Sequence, residues 1–205
     1  MLRKMHAVGF ALVLMVALGA TAVRAETGTV ESGKTSVKLS AEFAGALESL
    51  GVTAGVIDPS RVHGGSVTFP VTGGAVDLAT ARGEIAHSGG LTLSAGGTEV
   101  RLQSFTIDTT GSAPVLTGLV VVNDGLLGRV PLFDLQLPSG ITLPLKPSEN
   151  GKLRINDVGV TLTSVAADAL NGIFGVTAFT PGFNIGTANV KVVFDLDHSC
   201  DSDDK

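Results

Sequence analysis

Residues 83–97 read GEIAHSGGLTLSAGG, and the path of the chain through them decides the fold. Gly83-Glu84-Ile85-Ala86 and Leu91-Thr92-Leu93-Ser94 alternate in polarity, the period of a half-buried strand. Ser88-Gly89-Gly90 between them carries the composition of a reversal, so the stretch predicts a β-hairpin with His87 at a strand end. A histidine in that position has two readings. It is a turn residue hydrogen-bonded to nearby backbone, or it is a binding group on the rim that such turns form.

Outward from this hairpin the text repeats the same idiom. Short runs rich in Val, Leu and Ile at Ser66–Val71, Glu99–Asp108, Val115–Val122, Arg129–Leu137, Leu153–Leu162 and Ala188–Leu196 are punctuated by Gly, Pro, Asn and Asp. Such spacing belongs to antiparallel sandwiches and barrels. The expected fold is all-β with two short α-helices, an antiparallel β-sandwich in a single domain. Within Arg101–Asp108 the apolar phase slips between Leu102 and Phe105, which predicts a bulge or a strand buried on both sides.

Two segments break the β pattern and resemble each other. Val37–Ala54 and Val160–Ala178 both run from a short strand through an Ala-Leu pair to Gly-Val-Thr-Ala. Ser40 and Thr163 are placed as N-caps and Gly51 and Gly175 as stops, predicting helices over Ala41–Leu50 and Ser164–Phe174. Each unit is expected to read strand, helix, strand. Either an internal duplication or two similar helical plugs accounts for the pair.

Arg3-Lys4, an apolar stretch from Ala7 to Ala22 and the ending Val23-Arg24-Ala25 form the pattern of a secretory signal peptide, with cleavage after Ala25. The expected division is a leader over 1–25, one β domain over 26–196 and an acidic tail over 197–205. The expected location is extracellular or in the cell envelope, with no transmembrane segment after cleavage. Removing 25 of the 205 residues leaves 180. With Arg3, Lys4 and Arg24 gone, 11 basic residues face 19 acidic ones, a formal charge of −8 that disfavours nucleic acid as a partner. Cys200 is the single cysteine, so stability must come from packing rather than disulfides. The chain contains no Trp or Tyr, and its three methionines all lie in the leader.

The order of helix unit, glycine-rich run, His-x-Gly-Gly-Leu stretch, β-meander and second helix unit resembles the HtaA domain of secreted and surface proteins that actinobacteria use in haem uptake. The most specific piece is Gly83–Leu93. The resemblance implies a β-rich domain that holds haem at its edge through a tyrosine ligand supported by a histidine, and His87 matches that histidine. The tyrosine is implied in the first helix near Phe43–Leu47, where this chain has Phe43-Ala44-Gly45-Ala46-Leu47. A haem bound here must therefore use another donor. His87 is the candidate metal ligand and haem contact, Phe43 a candidate to cover a haem face, and His63, in Arg61-Val62-His63-Gly64-Gly65, a second candidate contact.

Other chemistries leave weaker marks. Asp195–Lys205 offers carboxylate, imidazole and thiol but lacks the spacing of calcium or zinc sites, and reads as a solvated tail. No nucleophile elbow, zinc-protease motif or phosphate loop occurs. Acids such as Asp77, Glu84, Asp108, Asp124 and Asp134 remain formal candidates for glycosidic work, without aromatic platforms for a sugar. The function expected is a secreted, non-enzymatic binding protein for haem or another flat apolar ligand. Two alternatives stay open: a cell-envelope structural or protein-interaction domain with a cell-surface partner and no haem, and a lipid-carrying β protein. Mass spectrometry of the exported protein is expected to find Glu26 as the first residue; a mature chain beginning before Thr21 would contradict the signal-peptide assignment.

Overall fold

The computed structural model describes residues 27–195. The expected leader, its cleavage site and the tail over 197–205 lie outside the described residues. The order of elements is β1 (Thr27–Leu39), α1 (Ala41–Ser49), β2 (Thr53–Ile57), β3 (Arg61–His63), β4 (Ser66–Asp77), β5 (Arg82–His87), β6 (Gly90–Ala95), β7 (Thr98–Asp108), β8 (Val115–Val122), β9 (Gly125–Gln136), β10 (Lys152–Leu162), α2 (Ser164–Phe174) and β11 (Asn184–Asp195). Every strand pairing is antiparallel.

The sheet does not split into the two layers of the expected sandwich. It runs β7-β5-β4-β1-β11-β10-β9-β8, and β8 returns to β7, so eight strands close a barrel. Strands β6 and β2 extend the sheet beside β7, and β3 pairs with β4. Sandwich and barrel share the same strand lengths and alternation. They differ in whether one strand finds partners along both edges at long range, which local pattern does not encode.

Alternation then divides the barrel wall into inside and outside. Along β11, Ile185, Ala188, Val190, Val192 and Phe194 are buried, while Thr187, Asn189, Lys191 and Val193 are only partly so. The inward side chains fill a core of Val, Leu, Ile and Phe, the inverse of a membrane barrel's apolar exterior. No helix among the described residues is long and apolar enough to cross a membrane.

The opening stretch folds differently from its expected hairpin. Strands β5 and β6 both run antiparallel to the same edge of β7, β5 against Thr106–Asp108 and β6 against Thr98–Gln103. They are thus one line of strand, interrupted at Ser88-Gly89, and the chain does not reverse there. The break lies beside the slip in β7, where the register shifts between Gln103 and Thr106 and Ser104 takes a positive φ of 53°. Ser104 N–H donates to the Gly89 carbonyl at 3.1 Å, and Ser88 N–H to the Pro70 carbonyl at 3.0 Å. Gly89 and Gly90 are needed for close approach: a Cβ on Gly89 would strike Ser60 Oγ, and one on Gly90 the Leu102 carbonyl. The true reversal is Gly96-Gly97, with φ of 57° and 82° between paired Ala95 and Thr98, the backbone of a two-residue primed turn.

Both helices form where the caps place them. Ser40 Oγ accepts from Phe43 N–H, and Thr163 Oγ1 from Ala166 N–H. The first helix ends one residue earlier than expected. Val52 N–H donates to the Leu47 carbonyl and Gly51 N–H to that of Glu48, a Schellman closure with Gly51 left-handed at φ 65°. The two units diverge afterwards. The first continues into β2, whereas 176–183 form no strand, because the Asn171 amide donates to the Phe179 carbonyl and its oxygen accepts from Phe179 N–H. Since β1 and β10 each run antiparallel to β11 and end beside its start, both helices plug the same end of the barrel.

Leu47 and Leu170, the apolar anchors of the two helices, are 6% and 8% exposed. Replacing either by Ala is expected to cost about 2–5 kcal/mol, the range for a buried leucine; denaturant unfolding that shows no change in midpoint would place these side chains outside the core.

Candidate functional site

His87 closes β5 with its side chain turned into the barrel, 4% exposed. It is therefore neither a rim group nor a hairpin residue. Across the intervening β4, where Thr35 pairs with Phe69 and Val71 with His87, Thr35 Oγ1 lies 2.8 Å from His87 Nε2. The hydroxyl donates or accepts according to the imidazole tautomer. The other ring nitrogen, Nδ1, is buried without a hydrogen-bond partner among the described residues. Burial pushes the imidazole down to about 4, with the neighbouring backbone of Phe105 and Ile85 pulling the other way. His87 is thus neutral at physiological pH, as the cost of sealing an unpaired charge in an apolar interior demands.

Thr35 and His87 are the polar members of an otherwise hydrocarbon lining. The cavity they border measures about 90 Å³ and lies between the barrel wall and the helical plug, with Phe43 of α1 and Leu170 of α2 also facing it. Phe43 packs edge-to-face on Phe183 at 6.5 Å, and Phe183 on Phe179 at 5.7 Å, an aromatic row behind the first helix. His63 stands apart. It is exposed at the end of β3, paired with Ser66 across the Gly64-Gly65 turn, and does not line the cavity. The structure therefore brings two of the three expected site residues together and leaves the third on the surface.

Thr35 is the site residue that sequence reasoning missed. It sits in a polar stretch, Glu31-Ser32-Gly33-Lys34-Thr35-Ser36, that shows no apolar period, and its contact with His87 spans 52 residues. Three of the five formal candidate acids serve local structure. Asp77 accepts from Ala79 and Thr80 N–H, Asp108 from Thr110, and Asp124 pairs with Arg101. No cluster of three His, Cys, Asp or Glu suited to a metal occurs among the described residues.

No family profile matches the sequence, and no curated protein is detectably similar to it. Solved structures are similar to it in fold. The C-terminal domain of HtaA from Corynebacterium glutamicum superposes with a TM-score of 0.64 at 17% identity, covering 82% of this chain and 99% of that one. The chain has an HtaA-like fold. The N-terminal domain of HtaA follows at TM-score 0.57 and 13% identity, covering 82% and 99%. The heme binding protein HtaB of the same organism gives 0.55 and 12%, covering 82% and 95%. Identities this low mark a divergent form of that HtaA-like fold.

The residues present do not fit haem as a tightly ligated group. The sequence has no tyrosine, the Nε2 of His87 is engaged by Thr35, and both sit inside a cavity well below the roughly 300–1,000 Å³ of small-molecule pockets. Two outcomes test this description of the HtaA-like interior. Thr35→Val removes the hydrogen bond to Nε2 and is expected to cost about 1–3 kcal/mol in thermal unfolding, because it strands a buried polar atom. The folded imidazole titrates near 4 against an ordinary 6.5, so between those values the unfolded chain binds more protons. Stability is then complete above about 6.5 and falls by up to about 3 kcal/mol as the pH drops toward 4. His87→Phe is expected to remove that slope from a plot of melting temperature against pH, and its persistence would assign the slope to other groups.

Proposed function

We propose that the chain is an exported, non-enzymatic binding protein on the scaffold that its haem-binding neighbours use, taking haem or another flat apolar molecule weakly and by apolar contact. The observation that carries the reading is the meeting of Phe43 and a neutral His87 on one hydrocarbon-lined cavity beneath the first helix, too small to enclose a macrocycle and so limiting it to weak, partial contact, in a fold whose solved examples include a protein described as heme binding. Apolar surface supplies attraction at about 25 cal/mol per Å² buried. A strong iron bond is missing, since no tyrosinate exists and the imidazole, the remaining donor on this cavity, is buried at 4% exposure. The protein-interaction alternative has its own support in Leu126 and Leu127, adjacent on β9 and 65% and 63% exposed.

Titration of residues 26–205 with hemin, followed in the Soret region, tests the haem reading. The expected result is a complex with a dissociation constant of about 1 μM or weaker, worth at most about 8 kcal/mol, and without a tyrosinate-type spectrum. A nanomolar complex would show that a ligand has been overlooked. If no spectral change occurs at tens of micromolar hemin, on the order of 7 kcal/mol or less, haem is removed as a ligand.

A further inference from the structure

The barrel holds a second cavity beyond the first. It measures about 70 Å³ and lies at the end opposite the helices, where Ile141 and Leu145 from the 137–151 connection fold inward. Ile107, Leu135, Val158 and Val190 line both spaces, so one layer of four side chains stands between them. The inward residues of β11 trace the axis: Ile185, Ala188 and Val190 border the first cavity, then Val190, Val192 and Phe194 the second.

Protein interiors pack with few voids larger than a water molecule, so two such spaces in line are a departure that packing alone does not require. Dry apolar cavities of this order take up hydrocarbon. Among the described residues, no Lys, Arg, Asp or Glu borders either space. Of the three polar residues that do, Thr109 gives its hydroxyl to the Ala81 and Gly83 carbonyls, and Thr35 is taken by His87. His87 keeps one ring nitrogen unpartnered.

We propose that the bore of the barrel is a binding site for an uncharged molecule built on a narrow hydrocarbon chain, lying through both cavities with the Ile107, Leu135, Val158 and Val190 layer parting around it. A macrocycle is too wide for this passage, but its contact would fall on the first cavity, so this proposal rests on the same His87 end that the haem reading uses. A carboxylate drawn inside would meet no cation, and its desolvation would go uncompensated. A hydroxyl is tolerable there, because it can pair with the free nitrogen of His87.

Titration calorimetry of residues 26–205 with 1-decanol and with sodium decanoate at pH 7 tests the proposal. One decanol is expected to bind per chain, with decanoate at least about tenfold weaker, a gap of about 1.4 kcal/mol. Val190→Phe fills the junction and is expected to abolish decanol binding. If that variant does not fold by circular dichroism, Val158→Ile narrows the same layer and is expected to weaken decanol several-fold. No decanol binding to the parent chain, equal affinity for decanoate, or a folded filling variant with undiminished affinity would each overturn the proposal. Loss of hemin response with decanol binding intact would remove the haem reading alone.

Discussion

The barrel depends on β7 being hydrogen-bonded along both edges. One edge is taken wholly by β8, and the other is shared by β5 and β6, which meet it in line. Sharing one edge between two segments requires a local change of path, and the paired irregularities at Ser88-Gly89 and at Ser104 supply it. Ser60, fully buried, stitches the joint by accepting from Gly90 N–H at 2.9 Å. Below the joint β5 lies against β4 and the ring is closed; above it β6 lies against β2, which extends the sheet off the closed path.

His87 occupies the last closed position before that interruption, which explains its chemistry better than its neighbours in sequence do. The barrel wall on either side of it is hydrocarbon, and a polar ring placed there must be neutral and must find a partner on another strand. Thr35 provides that partner from two strands away. A buried polar pair of this kind specifies register, since sliding β1 by one residue would turn Thr35 outward and leave the imidazole unanswered.

Much of the architecture was legible locally. Alternation located the long strands, the slip between Leu102 and Phe105 announced the bulge, and Ser40 and Thr163 named the helix starts, because each of these depends on residues a few positions apart. What depended on distant partners was not legible. Ser88-Gly89-Gly90 has the composition of a turn, yet its glycines answer the approach of Ser60 and of β7, neighbours distant in sequence. The polar stretch Glu31–Ser36 of β1 shows no apolar period, because its pairing with β4 and β11 fixes it as strand, not its own pattern. For the same reason Phe43 and His87 were recognisable as candidates while Thr35 was not.

The pairing of β1 with β11 joins the first described strand to the last, with Thr29 opposite Asp195. The partner on one edge, β4, follows β1 closely in the chain, but the partner on the other, β11, is the last described strand. Long-range closure of this kind is slow, and an unpaired edge is open to intermolecular pairing while it waits. The placement of Lys34 and Lys38 along β1 acquires a meaning from that interval: charged side chains on a waiting edge discourage a second chain from adding to it. These lysines keep β1 solitary until its proper partner arrives.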